Sequence, residues 1–295
     1  MLRESERKLI QAAKDKDRII AQLQTQLNEV SYTPLSLAEA IGLDLTEDGY
    51  PDDVDSAYSK GLIESPKFQD RTRWVAESPE FLNWIDADGS EVLVIQGGSS
   101  ELEYLTSMSF LVALLHPKLV ESNSALVLPF FCGLHTGSRF DDSGELSGPL
   151  LMARTLLAQT LSIKTVDWAE GNAGLPFLSL KPEEVKKLKG GSFSAYIKLI
   201  GNLIKSLRSY YSAIFVIIDG IDYYDLNWEK EVKYMVRTLL RLAAADVESS
   251  GVLKVLFAAT THTNGWPQGE KSAVVLDVPD EIDGDGDTLE ELEWE

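Results

Sequence analysis

Ile214-Phe-Val-Ile-Ile-Asp-Gly-Ile-Asp222 decides the fold. Five apolar residues in a row, four of them β-branched, suit a strand buried on both faces, as in a parallel sheet covered by helices. The run ends in Asp219-Gly220-Ile221-Asp222, which places two carboxylates at the strand's C-terminal tip. In open α/β sheets that tip is where ligands gather.

A partner strand, Val92-Leu-Val-Ile-Gln-Gly97, lies about 120 residues earlier and runs into Gly97-Gly98-Ser99-Ser100-Glu101-Leu102-Glu103-Tyr104. Laid on the phosphate-loop pattern G-x-x-x-x-G-K-[ST], the second glycine is Leu102, the lysine is Glu103 and the hydroxyl residue is Tyr104. Such a loop works because backbone N–H groups and one lysine converge on phosphate. Leu102 puts bulk where the backbone must pass close to the ligand. Glu103 sets a negative charge where a positive one is needed. At an effective dielectric of about 20, like charges about 4 Å apart cost on the order of 4 kcal/mol. The Tyr104 hydroxyl sits at the end of a ring too long for the magnesium position. Gly97 and Gly98 therefore read as a strand-to-helix turn, and Asp219 and Asp222 as structural carboxylates, with Asp219 bonding nearby backbone. The competing reading is a divergent site holding ATP or GTP with magnesium through Gly97–Ser100 and Asp219.

Elsewhere, helices are expected at 67–76, 79–86, 101–116 (stopped by Pro117), 148–161, 193–207 and 228–245. Further strands are expected at 125–131, 253–259 and 273–276. Pro129 inside the second strand implies an edge or a bulge. Residues 162–191 carry little pattern. Five strands interleaved with helices predict an α/β fold with a parallel sheet covered on both faces, plus an N-terminal helix.

That helix spans 1–31. Leu2, Leu9, Leu23 and Val30 share one heptad position and Ala13, Ile20 and Leu27 the other, a pattern suited to self-association through residues 2–30 or to docking on the chain's own domain. Residues 32–65 read as an acidic linker, with Pro34, Pro51 and six acids between Asp44 and Asp55, interrupted by a short helix at Leu37–Ile41. The main domain is 66–278, and 279–295 reads as an acidic, disordered tail in which Leu289, Leu292 and Trp294 suit a docking peptide. Asp283-Gly-Asp-Gly-Asp287 has the look of a calcium loop, but position six is Thr288 and position twelve Trp294, so the register fails.

This order of elements resembles the NACHT and related STAND branch of P-loop NTPases, fungal members in particular, over residues 70–278. Phe81-Leu-Asn-Trp84 resembles the approach to the phosphate loop. Phe130-Phe131-Cys132 with Gly148–Gln159 is similar to the second strand and following helix. Asp219-Gly-Ile-Asp222 resembles the family's D-G-h-D, and Lys254–His262 the strand that usually ends in T-S-R. The resemblance implies a nucleotide site, and also its loss: Tyr223 replaces the acid after D-G-h-D, and His262 the sensor arginine. The expectation is a non-catalytic pseudo-NTPase without cofactor, serving as a protein-interaction or regulatory module.

Composition agrees. The 27 basic and 47 acidic residues give a net charge of −20, and ten of those acids lie in 277–295. A surface of that sign repels phosphate backbones and anionic lipid, so neither nucleic acid nor membrane is an expected partner. No signal peptide or membrane-length apolar run is visible, and Cys132 is the single cysteine, which points to a reducing, cytoplasmic setting with the nucleus as alternative. One cysteine and the scattered His116, His135 and His262 offer no metal cluster, and no G-x-S-x-G elbow supports a hydrolase.

Overall fold

The computed structural model describes residues 16, 30–45, 50–97, 104–121, 124–136, 148–163, 178–245, 251–261, 273–282 and 284. Their backbone forms a parallel sheet of five strands, β2 (Glu91–Gly97), β3 (Ala125–Phe131), β5 (Ala213–Asp219), β6 (Val252–Ala259) and β7 (Ala273–Val278), in the spatial order β3-β5-β6-β2-β7. Every pairing is parallel, as strands buried on both faces require. Pro129 does mark an edge: β3 is outermost. Its carbonyl accepts a hydrogen bond from Gln159 Nε2 at 2.9 Å.

Alternation along the strands divides the core in two. Val92, Val94, Ile214, Val216, Ile218 and Phe257 face a layer made of α1 (Pro34–Ile41), α6 (Gly148–Leu161), α8 (Phe193–Leu207) and α9 (Asp225–Ala244). Leu93, Ile95, Phe215, Ile217, Leu256 and Leu276 face the opposite layer: α2 (Tyr50–Ile63), α3 (Pro66–Ala76), α4 (Pro79–Asp86) and α5 (Ser107–Glu121). The helix starts follow from local chemistry. Thr33-Pro34, Ser65-Pro66 and Ser78-Pro79 each set proline in the first turn, and Ser78 Oγ accepts from Phe81 N at 3.3 Å. At the far end of α4, buried Lys254 of β6 donates to the carbonyls of Trp84 (2.7 Å) and Ala87 (2.6 Å), capping the helix from the sheet.

Four expectations need correction. Residues 32–65 are not a linker: α1 buries Leu37, Ala38 and Ile41, and α2 buries Val54 and Ala57. Their apolar residues recur at helical spacing, with Asp52 and Asp55 exposed and Asp53 turned inward to His135. The described fold thus reaches N-terminally to β1 (Val30–Tyr32), which pairs antiparallel with β4 (Leu178–Leu180) in a separate two-stranded ribbon. The weakly patterned stretch 162–191 contains β4 and α7 (Pro182–Lys189). Finally, α5 starts at Ser107 rather than Glu101 and runs through Pro117 to Glu121. Pro117 lies inside the helix, one turn before its end, where it forfeits one backbone bond without ending it.

Of residues 1–31, only Lys16, Val30 and Ser31 are described, Lys16 as helix and the other two in β1 rather than in the expected helix. The heptad seam otherwise lies outside the described residues, as does most of the tail. Where the tail begins, it is held: Arg71 Nη2 donates to the Asp280 carbonyl at 2.9 Å, and Ile282 packs against the α3–α5 layer.

Candidate functional site

Three strand ends, Gly97 of β2, Ala259 of β6 and Asp219 of β5, stand side by side at the C-terminal edge of the sheet, with the start of α5 above them. Gly98, Leu102, Glu103 and His262 lie outside the described residues. Gly97 is glycine for a packing reason. A Cβ there would sit 2.6 Å from the Val278 side chain and 2.8 Å from its carbonyl oxygen.

Thr106 caps α5. Its Oγ1 accepts from Met108 N (3.2 Å) and Ser109 N (3.4 Å), while Ser109 Oγ accepts from Thr106 N (2.9 Å). That reciprocal cap holds the Ser109 hydroxyl over the sheet, where it donates to Asp219 Oδ2 at 2.6 Å. A short bond to a buried carboxylate is among the stronger kinds in a protein. The hydroxyl that meets Asp219 therefore belongs to Ser109, five positions after Tyr104. Tyr104 is 63% exposed, its ring 6.4 Å from that of Tyr223. The missed signal was the Thr106-x-x-Ser109 spacing before the apolar run Phe110–Leu115, which marks a helix start.

Asp222 is committed elsewhere. Its Oδ2 accepts from Thr260 Oγ1 (2.6 Å), Thr260 N (3.1 Å), Thr261 Oγ1 (3.1 Å) and Thr261 N (3.2 Å), which ties the turn after β5 to the end of β6. Gly220 supplies the bend between the two acids. Its φ of +67° and the Tyr223 ring 2.8 Å from a would-be Cβ exclude a side chain there.

Behind the acids lies Cys132, fully buried. Burial, then the charges of Asp219 and Asp222, push its thiol well above the ordinary range, so it is a packed and unreactive group. Tyr224, likewise pushed up by burial first, donates to the His135 carbonyl at 3.1 Å. His135 Nε2 stands 2.9 Å from Asp53 Oδ2, which fastens α2 to this edge.

Among the described residues, an apolar group stands where the phosphate-loop pattern calls for a lysine. With Ser109 as the hydroxyl of the phosphate-loop pattern, the lysine position falls on Met108, which is only 6% exposed and packed in the core. The space between Gly97, Ser107, Met108 and Val278 is a cavity of about 10 Å³, room for roughly one water. Among the described residues no group of three or more His, Cys, Asp or Glu is placed to hold a metal ion, and no helix is long and apolar enough to cross a membrane. No family model matches the chain, and no curated protein matches it.

Proposed function

We propose that this chain is a STAND/NACHT-type P-loop NTPase fold without nucleotide chemistry, working as a protein-interaction or regulatory module. The observation that carries the proposal is Met108: where phosphate binding calls for a lysine, an apolar side chain fills the core. The Ser109–Asp219 bond adds to it, because the Ser109 hydroxyl gives its proton to Asp219 Oδ2. Asp222 spends one oxygen on four donors from Thr260 and Thr261, a structural use of the second strand-end acid. The partners are proteins, a second copy bound through residues 2–30 among them, and the proposed compartment is the cytoplasm.

A second reading, ATP or GTP held with magnesium through Gly97–Ser100 and Asp219, draws support from that same pair, since a hydroxyl facing a strand-end acid is what magnesium needs. Calorimetric titration with ATP or GTP plus magnesium separates the two. The expected result is no heat above dilution and no rise in melting temperature, because a ligand specific to the native state must stabilise it. A Kd below about 100 μM, roughly −5.5 kcal/mol, overturns the non-catalytic reading.

A further inference from the structure

The sheet's two edges are finished differently. β3 carries Pro129, and Gln159 takes the proline's carbonyl, two devices that blunt an edge. β7 has neither lysine nor proline within its six residues, and among the described residues no strand lies on its outer side. Its Val274 and Val275 are 39% and 38% exposed, and Leu82 of α4, which packs on β7, is 37% exposed. Alongside runs a groove of about 550 Å³, lined by Trp74, Glu77, Ser78, Glu80, Val275 and Asp277 among others. Glu77, Glu80 and Asp277 are exposed, and no lining residue is basic.

We infer that this groove receives an extended, cationic segment of a partner protein, which adds a strand to β7 while its lysines or arginines meet Glu77, Glu80 and Asp277. An unpaired strand edge supplies backbone donors and acceptors for such an addition, and the flanking side chains select the sequence. Charge decides the occupant. A second copy would bring the same three acids into apposition, and residues 285–295 carry acids and no base, so both are repelled. Exposed valines beside acids fit a peptide in which aliphatic and basic residues alternate, since successive side chains of a strand point to opposite faces. The inference rests on the reading of the chain as an interaction module.

The test is selection of a random linear peptide library displayed on phage against the full-length chain. Synthetic copies of the enriched sequences are then measured by fluorescence anisotropy. Enriched peptides should alternate Lys or Arg with aliphatic residues and bind more weakly as salt rises. The variant Val275→Lys should weaken them by about tenfold or more, and Glu77→Gln with Glu80→Gln by several-fold, with melting temperatures of the variants confirming that they fold. Neutral or acidic selected sequences overturn the proposal, and so does the absence of any enrichment. Peptides that bind but ignore both groove variants also overturn it, while leaving the interaction reading intact. Nucleotide binding without peptide enrichment removes that reading as well.

Discussion

Ser109 and Asp219 sit 110 positions apart and meet at 2.6 Å in a buried setting, so much of what either contributes depends on the other. A double-mutant cycle with Ser109→Ala and Asp219→Asn, followed by urea unfolding, should give a coupling of about 1.5–3 kcal/mol, the range for a hydrogen bond to a charged group. A coupling under about 0.5 kcal/mol would show that the contact is incidental. His116 supplies the pH dependence at this scale. Burial lowers its pKa below the ordinary 6.5, and the charge of Asp55 offsets part of that. Below 6.5 the unfolded chain therefore takes up more protons than the folded one. Stability should fall as pH drops through that value, and the His116 contribution should level off below the folded pKa. Urea midpoints between about pH 7.5 and 5.5 should decline less in His116→Gln than in the wild type. Equal slopes in the two proteins would refute the assignment.

Elements read well from sequence where one physical signal dominated. The buried strands announced themselves as apolar runs, and the helices expected at 67–76 and 79–86 lie within a residue of α3 and α4. The parallel sheet follows from that alternation. What escaped notice depended on tertiary support. β4 spans three residues and exists because β1 pairs with it, and α2 is so acidic that its buried Val54 and Ala57 were outweighed by charge. The site was legible only in part: Asp219 and Asp222 were found, whereas Ser109 was hidden by a helix start placed six residues too early. The α2–α5 contact offers a test whose sign is informative. Glycine in a helix interior normally gains up to about 1 kcal/mol on replacement by alanine. At Gly61, however, a Cβ would lie 2.0 Å from the ring of Phe110, which is fully buried and cannot yield. Gly61→Ala should instead lose about 1–3 kcal/mol by overpacking in chemical denaturation. A stabilised variant would mean that α2 does not seat on α5.

At the scale of the whole molecule, the heptad seam of residues 2–30 and the net charge of −20 pull in opposite directions, since apolar seams associate and like-charged bodies repel. Light scattering at tens of micromolar should give a dimer or larger species for the full chain and a monomer for residues 30–295, with association favoured as salt screens the charge. A full-length monomer across the salt range would remove self-association. The β1–β4 ribbon would give such an assembly a mechanical character. Val30, which follows residues 1–29 in the chain, pairs with Leu180, and only three residue pairs separate it from α1. A force applied through the N-terminal segment would reach this short clasp first. From there it would travel through β4 into α7, leaving the five-stranded sheet unstrained until the clasp had peeled open.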